Sequence, residues 1–240
     1  HEFNAEVSKQ DLYETYLPAF EACVKEAKVE AVMGAYNRTN GEPCCGSKTL
    51  LKDILRDKWG FDGHVTSDCW AIRDFYQHHC VTKTPEESVA LAVRNGCDLN
   101  CGNLFTYLLQ AVEQGLITEE EIDQSVIRLF TTRIKLGLFD GTEKVPFNKI
   151  PYSIVDSKEM RELNQKVARE CLVLLKNENH LLPLNKSKIK TLGIIGPNAN
   201  NRKALVGNYE GTASRYVTLL EGFQDYLGDS ARIFYSEGCH

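Results

Sequence analysis

Asp68 ends a short run of strand-forming residues, in a position where its carboxylate could do chemistry. The surrounding sequence, GFDGHVTSDCWAI at 60–72, places a turn-forming GFDG before the strand candidate His64 to Ser67. In parallel α/β barrels the side chains at the carboxyl ends of strands face the active site. A carboxylate there can act as a nucleophile, an acid or a base. The alternative is that Asp68 caps the following helix, as Asp often does.

Two aromatic residues could complete a binding site around this carboxylate. Trp70 lies two residues further on, and its large apolar ring is suited to lie against a sugar. Tyr36 follows the strand-like VMGA, where its phenol could hydrogen-bond a carboxylate. Each has a simpler interpretation, because Trp70 could belong to the core and Tyr36 could pack at the rim of a barrel. The residues alone leave these alternatives open.

The elements that must position these residues alternate between strand and helix. The sequence predicts strands at Glu30 to Ala35, His64 to Ser67 and Cys97 to Asn100. It predicts helices from Ser8 to about Lys28, after Thr84, and after the capping box Thr118 to Glu121. This order is typical of βα units in a parallel sheet. Three strands cannot close an eight-stranded barrel, so either the sheet is open or earlier strands precede His1.

The remainder of the chain predicts a linker and then a second α/β domain. Residues 141–190 contain Pro and Gly without a period, and a helix is expected from Asp156 through the apolar stretch at Cys171 to Leu175. Residues 191–240 read as an opening βαβ unit, with a helix near Thr218 to Tyr226. Gly193 and Gly196 lack the GxGxxG spacing, so no nucleotide cofactor is expected.

Composition bounds the partners and the compartment. The net charge is −5 and the pI about 5.7, which argues against nucleic acid and anionic membranes as partners. The nine cysteines are odd in number and form no zinc-like pattern, so we expect mostly free, buried thiols and no metal. Free thiols favour a cytoplasmic over a secreted location without fixing the compartment. A homo-oligomer is compatible with the sequence. The chain begins without Met, and we interpret it as an internal segment.

Several motifs, in one order, resemble the third family of glycoside hydrolases. VMGAYNRTNGEPCCGSKTLLKDILRDKWGFDGHVTSDCWAI resembles that family's nucleophile region, and RLFTTRIKLGLFD resembles the helix that ends its barrel. ECLVLLKNENHLLPL, TLGIIGPNAN and GNYEGTASRYVTLLEGF resemble the entry to its second domain and that domain's first elements. The resemblance implies the C-terminal part of a (β/α)8-type barrel at 1–140, a linker and helix at 141–190, and the start of an α/β sandwich domain at 191–240.

The same resemblance implies roles for individual residues. Asp68 matches the family's nucleophile, Tyr36 the tyrosine that contacts it, and Met33 a position lining the sugar pocket. Cys69 and Trp70 would lie beside the substrate, although many relatives carry Trp directly after the nucleophile. The resemblance places the acid/base residue beyond this segment, and a sugar-binding Lys-His pair and Arg before it. The remainder of the polypeptide would therefore be needed, and the segment alone is expected to be inactive.

The substrate expectation rests on SDC at 67–69 and PCC at 43–45, which resemble the β-xylosidase branch of the family. The implied activity is removal of terminal non-reducing β-D-xylose from xylo-oligosaccharides through a covalent glycosyl-aspartate. The alternatives are a β-glucosidase of the same family and a non-catalytic carbohydrate-binding relative. No cofactor is implied.

Overall fold

The computed structural model describes residues 1–239, which form two units divided in sequence between Lys149 and Ile150. In the first unit the strands are β1 Asn4–Ala5, β2 Ala31–Gly34, β3 Arg38–Thr39, β4 Glu42–Pro43 and β5 His64–Ser67. Its α-helices are α1 Lys9–Asp11, α2 Leu17–Lys25, α3 Asp74–Gln77, α4 Pro85–Arg94, α5 Leu108–Glu113 and α6 Glu119–Lys135. Helical segments with wide, π-type turns cover Leu12–Tyr16 and Lys48–Lys58.

Strands β2 and β5 are parallel and carry the candidate site. Ala31 is paired with His64 and Gly34 with Ser67, so both strands end at the same level. A separate small sheet has the order β1-β3-β4. The strand predicted at Cys97 to Asn100 is wrong in extent, because only Leu99 forms a bridge, to Thr66. The physical reason is that the amides of Asp98 and Leu99 both donate to the Val65 carbonyl, which breaks the regular ladder.

The three helix starts that the sequence predicts in the first unit are confirmed, at Ser8, Thr84 and Thr118. Thr84 accepts a hydrogen bond from the amide of Glu87 at the start of α4, and Thr118 and Glu121 form the complete capping box of α6. Ser8 likewise caps the helical region that runs to Lys25. The apolar faces of these helices close a core around β5, whose largest fully buried side chains are Phe75, Ile72, Val65 and Val89.

The second unit contains α7 Lys158–Glu170, β6 Thr191–Ile195, α8 Leu219–Leu227 and β7 Arg232–Ser236. Strands β6 and β7 are parallel, and Thr218 and Glu221 form the capping box of α8. The helix that the sequence predicts from Asp156 corresponds to α7, and the prediction is wrong at both ends. Ser157 is its N-cap while Asp156 has a positive φ of 58°, and the residues after Glu170 leave the helix with Leu172 to Leu175 exposed. Together, parallel strand pairs and helices make the chain an α/β fold.

Candidate active site

Asp68 directly follows β5 and is tied to the strand on one side of it. Its amide donates to the carbonyl of Gly34 at 3.1 Å, while the amide of Ser67 donates to Leu99 at 2.8 Å on the other side. Successive residues of β5 alternate between half-buried and buried, so Asp68 continues the half-buried face of His64 and Thr66. The backbone of the strand end is thus fixed from two directions, with the carboxylate on the less buried face.

The helix-cap interpretation of Asp68 does not fit its contacts. The short helical turn that follows, Ala71–Arg73, has Trp70 in its N-cap position and no side-chain cap. The Asp68 Oδ1 instead accepts the amide of Cys69 at 2.7 Å, and the backbone carbonyl of Asp68 accepts the amide of Ala71. The carboxylate therefore holds the loop immediately beyond the strand.

Cys69 is bonded to Cys101, so the prediction of mostly free thiols is wrong for this pair. Cys69 lies two residues beyond Ser67, the last paired residue of β5, and Cys101 lies two residues beyond Leu99, which is paired with β5. Because the two segments are adjacent, the Cα atoms of the two cysteines are 4.4 Å apart. Among residues 1–239 the remaining cysteines are free, and more than half of these are exposed rather than buried: Cys23, Cys80, Cys171 and Cys239. With a disulfide present and most free thiols exposed, the cysteines no longer favour a reducing compartment.

The buried hydroxyl of Ser67 reinforces the same connection. Its Oγ accepts the amide of Cys101 at 3.0 Å and the side-chain amide of Asn100 at 3.3 Å. Asn100 in turn accepts the amide of Leu104 through Oδ1 at 2.9 Å. The buried Ser67 hydroxyl and the amides at Cys101 and Leu104 therefore all have hydrogen-bond partners between the end of β5 and the loop after Leu99. Buried polar groups need such partners.

Trp70 lies at the surface, which excludes the core interpretation for this chain. Its side chain is among the exposed ones, with 46% of the residue accessible, and its φ of 69° is left-handed. The amide donates to the Cys101 carbonyl at 2.7 Å, and the guanidinium of Arg73 lies 4.5 Å from the ring centre. Gly102 lies beneath the ring, where a Cβ would approach within 3.2 Å of the indole. The ring thus contacts Arg73 and Gly102 and remains partly open to solvent.

The structure places the other two predicted residues on or near β2. Met33 is paired with Thr66 and exposed, and it lines an apolar groove of about 580 Å³ together with Phe20 and Cys44. Tyr36 is half-buried two residues beyond the strand, and its ring centre lies 4.6 Å from that of His1. Strand pairing thus brings Gly34, and with it the chain leading to Tyr36, next to Asp68.

Sequence reasoning missed a buried carboxylate that supports β5 from behind. The side chain of Asp98 is fully buried and accepts from Arg56 at 2.6 Å, Arg128 at 2.9 Å, Ser125 at 2.9 Å and the amide of Val65 at 2.8 Å. Burial lowers the pKa of Arg56, against the opposing effect of Asp98. Four donors around one carboxylate make Asp98 an anchor between β5 and α6. The sequence offers one sign of this role, namely a charged residue within the apolar strand candidate Cys97 to Asn100.

A second group was also missed, in the sequence DFYQHH that follows the Asp68 loop. Asp74 and His79 are both buried, and both contact His1. The sequence offers one sign of this group: Asp74 precedes His78 by four residues, a spacing that lets the two side chains meet on a helix. Within residues 1–239 no group of three or more His, Cys, Asp and Glu could hold a metal ion, and no helix is long and apolar enough to span a membrane.

Two protein-family models match this chain, one in each unit. The model for the glycosyl hydrolase family 3 N terminal domain matches residues 2–132, and that for the family's C-terminal domain matches residues 172–235. A xylan 1,4-beta-xylosidase of Xylanibacter ruminicola is 44% identical over 98% of this chain and 27% of that protein. A probable exo-1,4-beta-xylosidase of Neosartorya fischeri is 49% identical over 92% of this chain and 29% of that protein. The chain thus spans under a third of the length of these curated relatives.

Solved glycosidase structures are also similar to this chain. A GH3 exo-beta-xylosidase in complex with a xylobiose aziridine activity based probe matches with a TM-score of 0.87 and 34% identity, over 99% of this chain and 30% of that one. A β-glucosidase from Erythrobacter marinus matches with a TM-score of 0.86 and 30% identity, over 100% of this chain and 32% of that one. The fold of this chain is therefore similar to segments of enzymes named for two different sugars.

Proposed function

This chain belongs to glycosyl hydrolase family 3, and on that premise we propose that it is the nucleophile-bearing part of a retaining, exo-acting β-xylosidase. The substrate is a xylo-oligosaccharide, from which terminal non-reducing β-D-xylose is released. Xylosidase-named relatives at 44% and 49% identity support the choice of sugar.

In the proposed mechanism Asp68 attacks the anomeric carbon of the terminal sugar. An ester bond forms between the carboxylate oxygen and that carbon while the glycosidic C–O bond breaks, and an acid residue protonates the leaving oxygen. Water then attacks the same carbon, the residue that gave the proton takes one from this water, and Asp68 is released as a carboxylate. Two inversions at one carbon retain its configuration.

The observation that carries the proposal is the placement of Asp68. The residue is half-buried at the end of a parallel strand, and the backbone bond to Gly34 and the disulfide at Cys69 fix the chain on both sides of it. A nucleophile must be held within a fraction of an ångström of its productive position, and rigid elements provide this better than loops. The exposed part of the Trp70 indole offers an apolar surface for the sugar or its neighbour.

The wider architecture is part of the proposal. Residues 1–140 form the C-terminal part of a (β/α)8-type barrel, 141–190 a linker with its helix, and 191–240 the start of an α/β sandwich domain. In a retaining enzyme the acid/base carboxyl must come within about 5–5.5 Å of the nucleophile. We propose that this carboxyl belongs to a part of the protein outside this chain and that the chain alone is inactive. No cofactor takes part in this mechanism.

A fluorinated substrate tests the nucleophile directly. A 2-deoxy-2-fluoro-β-xyloside with an activated leaving group slows the second step, so the full-length protein should accumulate a glycosyl ester on the peptide containing Asp68, detected by mass spectrometry. Asp68→Asn should abolish both labelling and turnover. Asp62→Asn, at the opposite end of β5 on an exposed turn, is the matched control and should label like the unchanged protein.

The same experiment separates the proposal from its alternatives. A non-catalytic carbohydrate-binding relative would bind the sugar without forming the ester. A label on another carboxylate would refute the role of Asp68. Asp68→Asn with activity within about tenfold of the unchanged protein, a barrier change of roughly 1.4 kcal/mol, would do the same.

A β-glucosidase is the second candidate, because one structural neighbour with a TM-score of 0.86 carries that name. Comparison of kcat/KM on aryl β-xyloside and aryl β-glucoside decides between them. A higher value on the glucoside would overturn the choice of xylose and leave the proposed mechanism in place.

A further inference from the structure

A buried aspartate lies at the start of α3, the helix that follows the Asp68 loop. The side chain of Asp74 is only 5% exposed, and its Oδ2 accepts from Nδ1 of His1 at 2.5 Å. Nε2 of His78, which is half exposed, lies 3.8 Å from the other carboxylate oxygen. A carboxylate this deeply buried is costly unless donors surround it, so its contact with the His1 ring has a strong orienting effect.

His79 holds the same residue through its backbone. The residue is 4% exposed, and its Nε2 lies 2.6 Å from the carbonyl oxygen of His1. A carbonyl oxygen only accepts, so Nε2 carries the proton and donates it. The ring of Phe75 stacks on the imidazole with 6.2 Å between ring centres. Asp74 therefore fixes the ring of His1, and His79 fixes its backbone.

His1, held in this way, lies against Tyr36. The two ring centres are 4.6 Å apart with a 52° angle between the planes, a tilted aromatic contact. Tyr36 is two residues beyond Gly34, whose carbonyl accepts the amide of Asp68. One route of contacts thus leads from α3 through His1 to Tyr36, and a second leads from β2 to Asp68.

We propose that Asp74 and His79 are positioning residues that clamp His1 against Tyr36 and thereby fix the tyrosine ring beside the site of Asp68. The inference rests on the proposed function, since it requires Tyr36 to act on the nucleophile or the sugar. Neither Asp74 nor His79 needs to touch substrate for this role. A purely structural role would lower stability, whereas a positioning role acts on turnover through the tyrosine hydroxyl.

Burial shifts the pKa values of both positioning residues. Burial is the main cause that lowers the pKa of His79, and Asp74 and the backbone of Tyr36 oppose that effect. Burial raises the pKa of Asp74, and His78 and His79 oppose that effect. The bond from Nε2 to the His1 carbonyl is one that an amide nitrogen at the same reach can replace.

A double-mutant cycle in the full-length protein tests the inference. We expect His79→Leu to lower kcat/KM on an aryl β-xyloside about tenfold, and His79→Gln, whose amide nitrogen can occupy the place of Nε2, to stay within about threefold of the unchanged protein. In the Tyr36→Phe background, where no hydroxyl remains to be placed, His79→Leu should cost less than about twofold. Asp74→Ala should show the same dependence on Tyr36.

Equal losses in the two backgrounds, or no loss from His79→Leu, would overturn the inference. If the leucine variant does not fold, His79→Asn replaces it, because its shorter amide cannot reach the His1 carbonyl, and activity equal to that of His79→Gln would count against the clamp. Labelling of Asp68 by the fluorinated xyloside is measured in the same preparation. Labelled enzyme with an additive cycle refutes only the clamp, whereas absent labelling refutes the proposed function.

Discussion

Cys69 and Cys101 are joined by a disulfide that fastens the residue after Asp68 to the loop beyond the neighbouring segment. The hydrogen bond from the Trp70 amide to the Cys101 carbonyl, at 2.7 Å, connects the same two loops. The disulfide therefore restrains the loop that follows Asp68, while the hydrogen bond to the Gly34 carbonyl restrains Asp68 itself at the end of β5. Loss of the disulfide should be felt both in stability and at the candidate nucleophile.

We expect the double variant Cys69→Ser, Cys101→Ser to fold with lower stability and lower turnover. The bond has a sequence separation of 32 residues, for which the chain-entropy model gives a contribution of about 3–4 kcal/mol. Release of the Asp68 loop should also lower kcat about tenfold on aryl β-xyloside, since misplacement of a nucleophile raises the barrier. Urea unfolding and steady-state kinetics of the full-length protein measure the two effects.

Cys80→Ser is the matched control, since Cys80 is a free, exposed cysteine shortly after the same loop. Its stability and turnover should equal those of the unchanged protein. Full activity of the serine pair would contradict a role for the disulfide in holding Asp68.

Thiol alkylation should sort the cysteines by their environments. Burial raises the pKa of Cys45 to about 12 and that of Cys97 well above the usual value, so neither forms the reactive thiolate at pH 8. Iodoacetamide applied to the folded protein at pH 8 should therefore leave both unmodified while the exposed Cys23 reacts. Peptide mass spectrometry reads the result directly.

The disulfide gives the alkylation experiment its internal check. Cys69 and Cys101 should become modified only after reduction in denaturant. Alkylation of either one in the unreduced protein would show that the bond is absent from the molecule in solution.

The sequence predicts those parts of the fold whose signals are local. Strand β5 has the bounds that the sequence predicts, the capping box at Thr118 marks the start of α6, and α8 corresponds to the helix expected near Thr218 to Tyr226. Each signal consists of neighbouring residues whose preferences agree with the final structure. The prediction of a helix starting at Asp156 is wrong because Ser157 is an equally good cap, and because the apolar run at 172–175 does not continue the helix beyond Glu170.

What the sequence could not give depends on contacts between distant segments. The pairing of Cys69 with Cys101 requires knowing that β5 and the segment at Leu99 are adjacent, and nine cysteines allow many pairings. The donors around Asp98 come from positions 56, 65, 125 and 128, which no local pattern connects. The placement of Asp68 was accessible because strand ends have a fixed relation to the sheet edge.

Gly34→Ala should disturb the strand end next to Asp68. A Cβ at this position would lie 2.8 Å from Sγ and 3.0 Å from Cα of Cys45, and the latter atom belongs to the backbone and cannot move aside. We expect a loss of about 1–3 kcal/mol in stability, typical of overpacking. Turnover should fall as well, because the shifted carbonyl of Gly34 accepts the Asp68 amide.

Gly193→Ala is the control for this substitution, since Gly193 lies in β6 with open space around its Cβ position and no positive φ. It should leave the thermal midpoint of the full-length protein unchanged or slightly raised. Equal midpoints for the two alanine variants would contradict the close approach of Gly34 to Cys45.

Asp98→Asn should destabilise the first unit far more than an ordinary surface change. The substitution keeps the shape of the side chain but removes the charge that Arg56 and Arg128 share, and its amide nitrogen would direct protons at other donors. Breaking a buried ion pair by removing one partner costs about 3–5 kcal/mol. For a domain of this size that corresponds to a fall of roughly 10 °C in the unfolding midpoint, measured by calorimetry on the full-length protein.

Asp53→Asn provides the comparison, because Asp53 pairs with Lys48 at 2.8 Å with both side chains substantially exposed. An exposed pair contributes about 0–1 kcal/mol, so its loss should move the midpoint by a small fraction of the Asp98→Asn shift. Asp98 supports Val65 in the middle of β5, three residues before Asp68, so the same variant should also lose turnover at temperatures where it remains folded. A midpoint near that of Asp53→Asn would show that Asp98 is not the anchor of this strand.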